Sequence, residues 1–271
     1  MTRQYCHIGS RTIAYLDSAP GKHDLRAYVL LHAFPIGANL WEPQINSIPP
    51  GWRLITPDLR GFGGSTELDS VGALSMADYA DDVVDLLEEL GVKRAVIGGC
   101  SMGGYAALAL YQSRPDLFDG LVLANTRAGA DSPEARANRR NMLALVDREG
   151  PSGVAREMMP KLLGATTKES NPSLEANVRR LIKQQSPLAI RSAIHRMMHR
   201  VDSTAMLAQV TVPSLVITGE QDEMIPVDES RKMAAAIPGA QLVIVPGAGH
   251  LANMEQPAAF NHALNGFLST L

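Results

Sequence analysis

The sequence predicts an α/β fold, a mostly parallel central β-sheet flanked by helices, with an all-helical segment inserted before the last two strands. Three observations lead there. From residue 28 onward, short apolar runs alternate with stretches whose apolar residues fall at helical spacing. The apolar runs are continuous rather than alternating, as in strands covered on both faces. The rhythm then stops over residues 127–210, where helical patterns follow one another with little strand signal, and resumes after them. A βα alternation of this kind implies right-handed crossovers and hence parallel strands.

The elements follow in order. Residues 4–8 and 12–16 read as two strands joined by Gly9-Ser10-Arg11, a hairpin. Tyr28-Val29-Leu30-Leu31 is the first buried strand, and residues 53–56 the next. Residues 78–90 carry apolar side chains at helical spacing and stop at Gly91, a C-terminal glycine. A strand at 95–98, a helix at 103–113 ending before Pro115, and a strand at 121–124 continue the pattern. The helical segment contains four stretches, 133–148, 154–163, 172–185 and 188–200, each opening near Ser132, Gly153, Asn171 or Pro187. Strands at 214–217 and 242–245 and helices near 230–236 and 258–268 close the chain. The expected organisation is a core formed by 1–126 and 211–271, with 127–210 as a helical cap, or lid.

A chain of 271 residues suits one hydrophobic core with an elaboration. Its composition is 45% apolar and 20% charged, ordinary for a globular domain. A net charge of −3 gives no reason to expect nucleic acid or a membrane surface as partner. Two cysteines, Cys6 and Cys100, are too few for a disulfide framework, and neither a metal nor another cofactor is implied. With no secretory signal and no run of about 18 apolar residues, the expectation is a cytoplasmic protein. Nothing in the sequence speaks to oligomeric state.

The chemistry begins at Gly99-Cys100-Ser101-Met102-Gly103, a G-x-S-x-G motif between a buried strand and a helix rich in small residues. A serine forced onto that sharp turn exposes its hydroxyl at the carboxyl edge of the sheet. The helix that follows directs its backbone N–H groups at the same place, favouring developing negative charge. A thiol mechanism through Cys100 is set aside, because a buried cysteine is ordinarily inert.

With this motif in this context, the sequence resembles the α/β-hydrolase superfamily over nearly its whole length. In that family the triad runs serine, acid, histidine. Val216-Ile217-Thr218-Gly219-Glu220-Gln221-Asp222 is similar to the family's acid loop, a strand followed by G-x-x-D. Val245-Pro246-Gly247-Ala248-Gly249-His250 is similar to its histidine loop. The resemblance implies Ser101 as nucleophile, His250 as base and Asp222 as the orienting acid. Glu220, Glu223 and Asp228 are the competing carboxylates, and the G-x-x-D register selects Asp222. It also implies an oxyanion hole of two backbone N–H groups, from Met102 and from Phe34 in His32-Ala33-Phe34-Pro35, which is similar to the family's H-G-x-P with alanine in place of glycine. His32 is expected to brace that loop. Asp58 and Arg60, in a D-x-R-G-x-G-x-S segment, are expected to brace the next.

A serine at position 101 argues against haloalkane dehalogenases and epoxide hydrolases, which resemble this fold but place aspartate there. The segments HAFP, GCSMGGY, LANTRAGADSPEAR and PGAGHLANMEQP resemble small bacterial esterases and the 3-oxoadipate enol-lactonase group. That resemblance implies a carboxylesterase acting on a small-molecule ester, with a lactonase for an anionic substrate as the alternative. A small-molecule receptor retaining a vestigial triad is the alternative of another class. Residues 127–210 hold 14 Lys and Arg against 8 Asp and Glu, whereas the rest of the chain holds 11 against 20. A basic cap over an acidic body could attract an anionic acyl substrate, and Arg127, directly after a buried strand, is the candidate to meet it. The plainer reading is that these arginines solvate helix faces. Six of the twelve methionines also lie in this segment; Met142 and Met158 are candidates to line an adaptable pocket.

Overall fold

In the computed structural model, which describes residues 2–66 and 74–271, the apolar runs of the sequence become the middle of an eight-stranded sheet. The strands are β1 (Gln4–Ile8), β2 (Arg11–Asp17), β3 (Arg26–Leu31), β4 (Trp52–Pro57), β5 (Ala95–Cys100), β6 (Phe118–Ala124), β7 (Ser214–Gly219) and β8 (Gln241–Val245). Their spatial order is β1-β2-β4-β3-β5-β6-β7-β8. β1 pairs with β2 in the expected hairpin, and β2 pairs antiparallel with β4. Every other pairing is parallel. β4, β5 and β7 are buried along their whole length, as continuous apolar runs require. At the antiparallel edge, the buried Arg53 guanidinium forks onto Asp17 at 2.9 and 2.6 Å, tying β4 to β2.

The helices are α1 (Glu42–Ile45), α2 (Ala77–Glu89), α3 (Met102–Ser113), α4 (Pro133–Leu162), α5 (Ala165–Ser170), α6 (Pro172–Lys183), α7 (Pro187–Met198), α8 (Val227–Ala236), α9 (Ala252–Glu255) and α10 (Pro257–Leu268). α2 ends as expected: Gly91 takes φ 65°, and Val92 N–H reaches back to the Leu87 carbonyl at 2.8 Å. α4 to α7 are the four-helix insertion between β6 and β7. The two stretches expected at 133–148 and 154–163 are the arms of α4. They meet at a kink where Gly150 leaves helical geometry (φ 60°, ψ −159°) and Pro151 begins the second arm. The short helices α1, α5 and α9 carry too few turns to show a period in the sequence, and α8 begins three residues earlier than its pattern suggested.

Two of the contacts that hold the insertion over the sheet are made by Gln185 and Arg196. Gln185, between α6 and α7, donates to the Ile36 carbonyl at 2.7 Å and accepts from Gly63 N–H at 3.1 Å. The fully buried Arg196 of α7 meets Asp78 of α2 at 2.9 Å, its guanidinium lying over the Tyr79 ring. No helix among the described residues is long and apolar enough to cross a membrane.

Candidate active site

Five neighbouring strands, β3, β5, β6, β7 and β8, each deliver a polar loop at their carboxyl ends, where open α/β sheets place their sites. Ser101 sits between β5 and α3 with φ 53° and ψ −112°, a conformation costly for a residue with a Cβ. Neighbouring glycines allow it. A Cβ on Gly103 would stand 2.1 Å from the Leu31 carbonyl oxygen, and one on Gly99 would stand 2.4 Å from the Gly103 backbone. The turn is locked by Ser101 N–H to the Ala124 carbonyl at 2.9 Å and by the Thr126 hydroxyl to the Ser101 carbonyl at 2.8 Å.

Asp222 and His250 come together although 28 residues separate them. His250 Nδ1 lies 2.8 Å from Asp222 Oδ2 and 3.1 Å from Oδ1, both side chains buried. Asp222 also accepts from Asn125 Nδ2 at 2.9 Å and from the Met224 and Ile225 N–H groups, each at 2.9 Å. Burial alone would raise its pKa. The opposing pull of His250, with hydrogen bonds from His250, Asn125 and the Ile225 N–H, outweighs burial and holds the carboxyl below its ordinary value. Of the competing carboxylates, Glu220 accepts from Gly247 N–H, Glu223 lies near Lys168 and Asp228 near Arg231. None of the three meets His250.

A cavity of about 70 Å³ is lined by Phe34, Ser101, Tyr105, Arg127, Arg139, Met158, Met197, Met224, Ile225 and His250. Serine and histidine thus share one small chamber, with Phe34 and Arg127 on its wall. Met158 faces it as well. Met142 does not; it lines a neighbouring cavity of about 470 Å³ that shares Met158 and Met224 with the chamber. Met102 is buried at the first position of α3, next to the serine.

The bracing residues are where the sequence put them. His32 Nε2 accepts from Leu59 N–H at 3.0 Å, which leaves Nδ1 to donate to the Ala33 carbonyl at 3.0 Å. Burial pushes its pKa below the ordinary value, so a neutral imidazole joins the loop after β3 to the loop after β4. Asp58 accepts from Ala38 N–H at 2.8 Å and Gly64 N–H at 3.1 Å, and Arg60 forks onto Asp82 of α2 at 2.8 and 2.7 Å. The Cys100 thiol is fully buried and its pKa is pushed far up, first by burial and then by Asp222 and Glu255.

Four residues around the site had no motif to announce them. Asn125, directly after β6 at φ 44°, joins Asp222 to the Gly249 carbonyl. Asp131, fully buried, receives three guanidinia: Arg127 at 2.9 Å, Arg139 at 3.2 Å, and Arg200. Arg139 shares the chamber wall with Arg127, so the wall carries more positive charge than one carboxylate offsets. Glu255 accepts from Gly249 N–H at 3.0 Å and Leu251 N–H at 3.1 Å, the residues on either side of His250. Asn125 and Asp131 lie within LANTRAGADSPEAR and Glu255 within PGAGHLANMEQP, five residues after the histidine, but those segments carried only the resemblance and gave these side chains no role; Arg139 lies outside both.

Against known proteins, a family model described as the alpha/beta hydrolase fold matches residues 28–257. The chain is 27% identical over 248 residues to 3-oxoadipate enol-lactonase 2 of Acinetobacter baylyi, covering 92% of this chain and 90% of that one. Among solved structures it is similar to a thermophilic esterase from Thermogutta terrifontis, studied with malate bound. The TM-score there is 0.92 and the identity 36%, over 100% of this chain and 99% of that one. The enol-lactonase from Burkholderia xenovorans aligns with a TM-score of 0.89 and 26% identity, over 98% and 100% of the two chains.

Proposed function

The chain belongs to the alpha/beta hydrolase family, and from that premise we propose that it is a serine-dependent carboxylic ester hydrolase working through an acyl-enzyme. The observation that carries the proposal is a buried His250–Asp222 pair whose imidazole lines the same small chamber as a serine held in a strained turn.

In this reading His250 Nε2 takes the Ser101 proton as Oγ attacks the ester carbonyl. Asp222 fixes the tautomer, with Nδ1–H directed at the carboxylate, and stabilises the imidazolium. Backbone N–H groups of Met102 and Phe34 hold the oxyanion. Collapse expels the alcohol, which receives the proton from His250. Water then attacks the acyl-serine by the same proton relay, releasing the acid and restoring Ser101. The helices of 127–210 act as the cap that closes the chamber.

Treatment with an active-site phosphonate followed by peptide mass mapping should place the adduct on Ser101, and Ser101→Ala should abolish both labelling and turnover of 4-nitrophenyl acetate. An adduct elsewhere with full activity in Ser101→Ala refutes the nucleophile. Repeated turnover separates an enzyme from a receptor that reacts once. A lactonase for an anionic substrate is the second reading, supported by Arg127 and Arg139 on the chamber wall and by two relatives named as enol-lactonases.

A further inference from the structure

We infer that Glu255 is a positioning residue for this chemistry: its carboxylate clamps the histidine loop to the inner end of the helical insertion and thereby sets where His250 stands. The inference rests on the proposed role of His250 as base. It starts from what surrounds one buried side chain. Oε1 accepts from Gly249 N–H and Leu251 N–H, so the two amides flanking His250 converge on a single oxygen. Oε2 accepts at 2.8 Å from Gly164 N–H, at the junction between α4 and α5. The same seam is closed from the other side, where His250 N–H donates to the Leu162 carbonyl at 3.2 Å. The two backbones touch there, since a Cβ on Gly249 would lie 2.2 Å from Gly164 N.

Three donors around one side chain require a group that only accepts, and a carboxylate is the side chain that meets this requirement. Glutamine has the same shape but one accepting end. Whichever way its amide turns, an NH2 faces a backbone N–H: either Gly164 is left unpaired or the pair beside His250 is. A buried N–H left without a partner is costly enough to shift the loop. Aspartate keeps the acceptor chemistry but is one methylene shorter, so it reaches one side of the seam at a time. Small displacements of a base relative to its nucleophile are expensive in rate, roughly a hundredfold for 1 Å.

The test uses the full chain. Glu255→Gln and Glu255→Asp are assayed with 4-nitrophenyl acetate, well below the melting temperature of each variant. The expected result is a fall in kcat of about tenfold to a hundredfold for Gln and less for Asp, with KM close to wild type, because a misplaced base slows chemistry and leaves ester binding alone. Thr166→Val serves as the control for a loosened seam: it removes the 2.9 Å bond from Gln221 to the Thr166 hydroxyl, and kcat should stay within about twofold. If Glu255→Gln fails to fold, Glu255→Asp carries the measurement on its own. A lowered melting temperature with wild-type kcat in both variants overturns the inference, as does an equal loss of kcat in Thr166→Val. Wild-type protein that neither turns over esters nor labels at Ser101 overturns the hydrolase reading itself.

Discussion

Asp222 holds its place through four hydrogen-bonding groups, and only one of them, His250, belongs to the proposed triad. Asp222→Asn keeps most of that packing but turns an N–H toward His250 Nδ1, favouring the wrong tautomer. Turnover should fall by about 10⁴-fold, with the melting temperature changed far less. Steady-state kinetics beside a thermal melt reads both; a variant retaining activity while Glu220→Gln loses it would move the acid to Glu220. Arg127 tests the anionic reading. Its guanidinium pairs with Asp131, but Arg139 and Arg200 keep that carboxylate paired when Arg127 is removed. Arg127→Ala should therefore penalise 4-nitrophenyl hemiglutarate more than neutral 4-nitrophenyl valerate, by about tenfold to a hundredfold in kcat/KM. Equal losses on both would assign Arg127 to anchoring the cap.

At the scale of elements, one demanding contact is between α3 and β3. Gly103 presses against the Leu31 and His32 carbonyls, and backbone cannot move aside as a flexible side chain can. Gly103→Ala should lower stability by more than about 3 kcal/mol or abolish folding, the scale of an overpacked core at its worst. Denaturant unfolding checks this, and a loss under about 1 kcal/mol would mean α3 can slide away from β3. α4 depends on local chemistry at its start, where Ser132 Oγ accepts from Ala135 N–H at 3.1 Å and Pro133 occupies the first turn. Ser132→Ala should cost about 1 kcal/mol. These boundaries were legible in the sequence because caps, prolines and period act within a few residues. α5 was not, for it is a single short helix held at its N-terminal end by Glu255 and Gln221, partners distant in the chain.

For the molecule as a whole, acid should act in two stages. The His32 pKa lies below its ordinary 6.5 because burial disfavours the imidazolium. Below pH 6.5 the unfolded chain therefore binds a proton that the folded chain refuses, and stability declines as pH falls. Asp131 and Asp222 also sit below their ordinary 3.8, Asp131 because Arg139 and Arg200 outweigh the cost of burying it. Their contribution is intact above that value and is lost as pH drops through the folded pKa. Unfolding free energy against pH should thus fall first below about 6.5 and again below about 3.8. His32→Gln should reduce the first stage, to which His195, also lowered by burial, contributes the rest, and Asp131→Asn should reduce the second; a wild-type curve level from pH 7 to 4.5 would refute the first. The charge asymmetry of the chain acts at this scale too. If the basic insertion draws anions in, any preference for the anionic ester should narrow as salt rises past about 0.1 M, where charges beyond roughly 10 Å are screened.

The sequence by itself determined the alternation of strands and helices, the hairpin, the strained serine turn and the loops that carry Asp222 and His250. Each is a local property: a run of apolar residues, a period, a glycine where a Cβ will not fit, a motif at a strand end. Tertiary structure alone decided the rest. β2 pairs with β4 rather than β3, Met142 stands in the cavity next to the chamber, and Arg139 joins Arg127 on its wall. Asn125 meets Asp222 across 97 residues, and Glu255 meets Gly164 across 91. Hydrogen bonds and ion pairs of this kind depend on how elements dock, and docking is set by the summed packing of two distant faces. No window of neighbouring residues carries that information.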